Sequence, residues 1–451
     1  MKYLDLMYRN LIYTFFLTVI LTAQIVGQAK IISPYSAIGL GDITSRDMYH
    51  SKMMGGLGAA FNSPDLVNTV NPAALGFLKM TAFDVGTDFG YHELREGDNR
   101  KESFVGGLQY LSLAFPLRNP ITEVLERKNT EVGWGMGISL MPYTKVGYNF
   151  SKASFTEDSI NIRKNVVGRG GLYKLMFSNG WRYKNTAVGL NLGYLFGNIE
   201  KTRELFFINL DNPYNEYFSD KVSMSAFVWD VGVMHKLILN KKEKNSKKIK
   251  SISLGIYANS EHKFNSSVDQ FYWAERKNYA LTSSQRRDTF VFETNSIKGV
   301  LPANVGIGAY FYDAVHHTIG INAEWMGWSA FRHEILARSD NYQLVDGLKL
   351  SLGGSYTKEM SSYNFTQRII YRYGFYWMND PRQLGDRQIQ DVGITLGTTM
   401  PLYYTRQISQ LHLGIKMGRV GLKDLLTDNY IEFKLGVTFN DNKWFMQRKF
   451  N

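Results

Sequence analysis

The sequence predicts an all-β fold: a transmembrane antiparallel β-barrel of about 14 strands with an N-terminal hatch inside the lumen. Three observations carry the barrel. The 451 residues hold 28 Tyr, 28 Phe and 41 Gly against 10 Pro, an excess of aromatics and glycine that favours β-structure. No run after the first 27 residues approaches the roughly twenty apolar residues that a membrane helix needs, so a membrane form must be a barrel. Several stretches of about ten residues alternate apolar and polar side chains, the length and period of a strand that crosses a bilayer.

The N-terminal residues define the compartment. Lys2 and Arg9 precede the apolar run of residues 11–27, and the small residues Gly27 and Ala29 follow, which is the layout of a secretory signal cleaved after one or the other. The expected organisation is a signal peptide over 1–27, a hatch over 28–80, a barrel over 81–439 and a tail over 440–451, in the outer membrane of a Gram-negative bacterium. The chain has no cysteine, which excludes a lipid anchor, disulfides, thiolate metal sites and a thiol nucleophile.

The clearest strand is "YIEFKLGVTF", residues 430–439, where Ile431, Phe433, Leu435, Val437 and Phe439 share one parity. Glu432, Lys434, Gly436 and Thr438 share the other. The same pattern marks 83–92, 132–141, 188–197, 252–261, 303–312 and 318–328. It is fainter over 107–115, 172–183, 222–237, 347–356, 368–377, 392–400 and 410–418. In the stretch from 132 the lumen parity reads Gly133, Gly135, Gly137 and Ser139, which leaves room for something inside the barrel. Pro142 ends that stretch; a proline has no N–H to give a ladder and sits at edges, bulges or strand ends.

Connections after odd-numbered strands are long and polar (151–171, 200–221, 263–298), and those after even-numbered strands are mostly short, so the long ones should face outward. Residues 116–131 are the exception, where "ITEVLERKN" reads as a short helix. A lysine run, with Lys241, Lys242, Lys244, Lys247 and Lys248, should face the periplasm, as should a basic, aromatic tail with Trp444 and Arg448. These charges suit lipid phosphates or an acidic partner protein, and nucleic acid is not an expected partner in this compartment. The eight histidines are joined by no serine elbow and no metal-spaced cluster, so neither an enzyme nor a cofactor or metal is expected.

An N-terminal segment with "NTVNPAAL" ahead of about fourteen strands resembles the FadL-type transporters of long-chain fatty acids and other hydrophobic compounds. The phrases "SPYSAIGLGD", "NLGYLFGNIE", "LPANVGIGAY" and "TFNDNKWFMQRKF" also resemble a related branch of exported barrels. The resemblance implies a hatch motif at Asn71, Pro72 and Ala73, and a lateral opening in the third strand near Gly133, Gly135, Gly137 and Pro142. Apolar hatch residues Met53, Met54, Phe61 and Leu66 would then contact a hydrophobic small-molecule ligand, though packing against the glycine-rich third strand is their simpler role. The branch contains transport barrels and also subunits of protein-secretion or barrel-assembly machines. Two functions follow: passive uptake of a hydrophobic compound through a hatch-gated lumen, or a non-transporting scaffold in contact with other outer-membrane or periplasmic proteins. Outer-membrane lipids are partners in both.

Overall fold

A computed structural model describes residues 33–118, 131–155, 160–211, 213–240, 250–278, 283–313, 316–337, 342–404 and 407–441. Fourteen antiparallel strands close into a barrel: β1 (Thr81–Glu96), β2 (Asn99–Pro116), β3 (Val132–Phe155), β4 (Asn161–Tyr183), β5 (Thr186–Phe207), β6 (Asn215–Ile238), β7 (Ser251–Asn259 and His262–Asn278), β8 (Ser283–Leu301 and Asn304–Tyr312), β9 (His317–Met326), β10 (Tyr342–Leu344 and Gly347–Thr357), β11 (Ile370–Leu384), β12 (Arg387–Tyr404), β13 (Gln407–Gly421) and β14 (Thr427–Asp441). Closure is by β14 on β1, from Asp441 opposite Thr81 to Thr427 opposite Arg95. Each predicted stretch overlaps one strand.

Three strands are broken into collinear segments that share their neighbours. In β7 the lower segment pairs with β6 from Val231 and the upper one with β6 up to Ser225. The break in β8 falls at Pro302, which has no N–H to continue the ladder.

The alternation is inside-out relative to a soluble protein. Inward Ser139, Ser178, Thr399 and Thr438 are buried, whereas outward Leu192, Ile321, Leu352 and Phe433 are each at least half exposed. Exposed aliphatic and aromatic side chains around a whole barrel are stable only against lipid.

Two expectations are corrected. The long connections 151–171, 200–221 and 263–298 are largely wall: β3 to β6 run 22–24 residues each, and the upper segments of β7 and β8 add 17 and 19. A membrane strand needs about nine to eleven residues, so one side of the barrel rises well beyond the bilayer. Their polar sequence reflects water on the raised face, and hairpin pairing satisfies the backbone. The last strand also ends at Asp441, two residues later than expected, because Asn440 and Asp441 still pair with Ala82 and Thr81. The leader, the helix expected within 121–129, the lysine run with Lys241, Lys242, Lys244, Lys247 and Lys248, and the tail with Trp444 and Arg448 lie outside the described residues.

The segment 33–80 fills the lumen. It holds 3-10 turns at Pro34–Ala37 and Pro72–Phe77, a two-residue strand Asp42–Ile43 paired with β3, and one helical turn Tyr49–Lys52. Beyond it, Trp328, Phe331 and Leu336 from the β9–β10 connection fold into the raised wall against Val222, Met224, Phe264 and Val268. The barrel interior is therefore packed at two levels.

Candidate functional site: the plug and its seam with the wall

The plug meets the wall through glycine. Every strand from β3 to β14 presents an inward glycine to it, and several approaches are backbone to backbone. A methyl group at Gly255 would fall 2.0 Å from the Ala59 carbonyl oxygen, at Gly135 2.3 Å from that of Leu75, and at Gly353 2.3 Å from that of Met54. One at Gly374 would fall 2.2 Å from the Gly55 nitrogen, and one at Gly189 2.3 Å from the Pro72 carbonyl carbon. Non-bonded atoms do not approach so closely, so only a wall without side chains at this level admits the plug.

Asn71, Pro72 and Ala73 sit where this belt meets β4 to β7. Asn71 caps the turn Pro72–Phe77, its side-chain oxygen accepting from the Ala73 amide at 3.1 Å. Its amide donates to the Ala59 carbonyl at 2.7 Å and to the Val233 and Ile256 carbonyls at 3.3 Å. One side chain thus ties two passes of the plug to two wall strands. Asn71→Ala should lower the stability of the seated plug by about 1–3 kcal/mol, measured as faster protease cleavage within 33–80 in the folded barrel, because the cap and the bridge are lost together.

The four hatch residues named from the sequence are core, but against different strands than expected. Met53 packs on Gly397 and Gly414 of β12 and β13, and the Met54 backbone packs on Gly353 and Gly374 of β10 and β11. Phe61 stands edge-on to Tyr310 at 5.5 Å, and Leu66 joins the same cluster. The glycine-rich β3 instead takes Leu75 and Gly76, opposite Gly135 and Gly133, while Gly137 faces Ala114 of β2. The reason is geometric: the plug crosses the lumen before its last turn returns to β3.

Buried charge fixes the plug as well, and the sequence reading missed it. Arg46 donates to Asp230 of β6 at 2.9 Å, and Lys174 of β4 reaches the other oxygen at 2.9 Å. Burial works against the Arg46 charge, but Asp230 more than offsets it and holds its pKa above the ordinary arginine value. Asp42 accepts from Arg382, which also binds Asp380 at 2.7 Å, and Asp47 lies 3.7 Å from Lys349. In contrast, His50 is fully buried with both ring nitrogens unpartnered among the described residues; burial first, then Arg372 and His412, keep its pKa well below the usual 6.5. The only sequence signal for these partners was a charged residue on a lumen parity, as in "FVWDVGV".

Next to the plug strand the wall itself is incomplete. β2 pairs with β3 only from Pro116 opposite Gly135 to Leu111 opposite Leu140. Pro142 follows at once and begins a bulge in the β3–β4 ladder between Pro142 and Thr144. Past this point β3 pairs with the plug, Asp42 opposite Lys145 and Ile43 opposite Thr144. A cavity of about 300 Å³ lies behind the seam; Asp42, Asp47, Lys52, Asp88, Lys145 and Lys434 are among its lining residues. Val105, Tyr143, Met326, Trp328 and Met378 line it as well, so charged and apolar surface share the cavity.

The sequence model of the BamG family matches residues 7–451 of this chain. The chain belongs to the BamG family. Among solved structures, the toluene transporter TodX of Pseudomonas putida matches this family member with a TM-score of 0.52 at 13% identity, over 92% of this chain and 100% of that one. The CymD monoaromatic hydrocarbon channel matches with a TM-score of 0.51 at 14% identity, over 90% and 99%. Identities this low show the shared fold alone, a closed antiparallel β-barrel. No curated protein matches the chain.

Proposed function

We propose that this member of the BamG family is a plugged, non-conducting barrel that serves as an accessory subunit of an outer-membrane protein complex, of the barrel-assembly or protein-secretion kind. One observation carries this reading: the plug is mated to twelve strands through inward glycines, six of them by close backbone-to-backbone contact, which leaves little sliding surface. Buried ion pairs to β6, β10 and β11 add to it, since opening would strand charges in a lumen of low dielectric. A gate that opens for each solute molecule needs two packings of similar free energy, and a belt of this tightness favours one.

The seam between β2 and β3 favours a second reading, uptake of a hydrophobic compound with lateral exit beside Pro142. Reconstitution in liposomes separates the two. The scaffold reading expects no swelling with neutral or hydrophobic solutes, and a larger complex in fixed stoichiometry from native membranes in mild detergent. Solute flux that depends on the plug, with the barrel purifying alone, overturns it.

A further inference from the structure

We infer that the free edge of β2, over residues 99–109, is a docking site for an extended segment of a partner polypeptide that joins the wall as an added strand. The inference rests on the scaffold reading and names the surface through which the partner is held.

On one side β2 is paired with β1 from Ala114 opposite Ala82 to Asn99 opposite Glu96, with one bulge at Gln109. On the other its ladder stops at Leu111, and among the described residues no backbone partner meets it from Asn99 to Gln109. The facing edge of β3 is not in the same state. The plug covers it: besides the Asp42–Ile43 pairing, the Thr44 amide donates to the Tyr143 carbonyl at 3.0 Å and the Ser33 amide to the Gly147 carbonyl at 3.2 Å. The chain thus caps the β3 lip with its own strand from Tyr143 to Gly147 and, among the described residues, leaves the β2 lip bare.

From Phe104 to Gln109 the bare lip still lies at the level of the apolar band. Phe104 and Leu108 point outward, opposite Tyr91 and Thr87, and are 78% and 52% exposed. Unpaired backbone groups facing hydrocarbon cost several kcal/mol each, and neither acyl chains nor a hydrocarbon solute supplies donors and acceptors in a row. A polypeptide strand supplies both at the spacing of a ladder. Side chains specify it further. Phe104, Gly106 and Leu108 alternate with Val105 and Gly107, so the added strand needs large apolar residues on the lipid parity. On the lumen parity it needs small or polar ones, since Val105 and Gln109 border the charged cavity. This is the alternation of an outer-membrane barrel strand.

The test uses the full chain in its native membrane. A photoactivatable phenylalanine analogue is placed at Phe104 or at Leu108, and the adducts are mapped by mass spectrometry. Amide exchange over 99–109 is compared between the unmodified chain in its complex and purified alone. The expected result is adducts from both positions on one partner segment, at sites four residues apart. In the complex, alternate amides are at least about fivefold slower to exchange, as a net hydrogen bond of about 1 kcal/mol implies. Adducts to lipid alone, partner sites without that spacing, or amides that exchange equally fast in both states overturn the inference. If a stoichiometric complex is recovered with such a result, the docking edge fails and the scaffold reading stands; if no complex is recovered, the scaffold reading fails.

Discussion

Gly255→Val unseats the plug while the barrel still closes. Valine is a good strand former, and the β7 backbone at Gly255 is ordinary wall paired with Met234 and Gly308, so the strand itself tolerates the change. The conflict is with the plug: the new β-carbon would fall 2.0 Å from the Ala59 carbonyl oxygen and 2.9 Å from the Ala60 α-carbon. Both are backbone atoms and neither can rotate away. Overpacking of this kind costs about 1–3 kcal/mol or more, here charged against plug seating alone. The expected readout is rapid trypsin cleavage in the plug, at Arg46 or Lys52, in protein that still shows the heat-modifiable migration of a closed barrel. Channel activity in planar bilayers should appear with it. Gly97→Asn is the control, at a turn with open space and a φ of 57° that asparagine adopts. Equal protease resistance in wild type and Gly255→Val would show that the belt does not hold the plug.

Asp230→Ala should destabilise the seated plug by about 3–5 kcal/mol, the cost of leaving buried charge uncompensated. Arg46 and Lys174 both depend on this carboxylate, at 2.9 Å each, and both are almost wholly enclosed. Arg46 also lies over the Tyr257 ring at 5.3 Å, so it cannot swing to water without giving up that contact too. The triple change Arg46→Met, Lys174→Met, Asp230→Leu should recover most of the loss, because apolar groups of similar volume replace an ion cluster at little cost. Denaturant midpoints for plug release and barrel unfolding, followed separately, check both statements. If the single and triple variants behave alike, the cluster acts through shape and not charge.

Much of the barrel was legible from residue order. Tyr430 to Phe439 read as a strand with its lipid and lumen faces assigned, and Lys434 and Thr438 are indeed enclosed while Phe433 and Phe439 are exposed. The bilayer enforces that reading, since it demands apolar residues on one parity over about ten positions. Beyond the membrane this demand lapses, which is why the upper halves of β3 to β8 read as polar loops. The plug was harder. The capping role of Asn71 follows from its place before Pro72, but its hold on Val233 and Ile256 crosses 162 and 185 residues of sequence. Asp230 stood out only as a charge on a lumen parity, because its partner Arg46 is 184 residues away in a segment without periodicity.

The sequence by itself determined that this chain is a barrel of about fourteen strands, roughly where each strand crosses, and that a glycine-lined interior had room for the N-terminal segment. Those properties are local: period two, strand length and the absence of a side chain are written in neighbouring residues. Only the tertiary structure decided which glycine meets which plug carbonyl, which buried charges pair, and that β2 and β3 part above Leu111 and Leu140. These depend on distances between segments far apart in the chain, where close packing leaves one arrangement and residue order alone allows many.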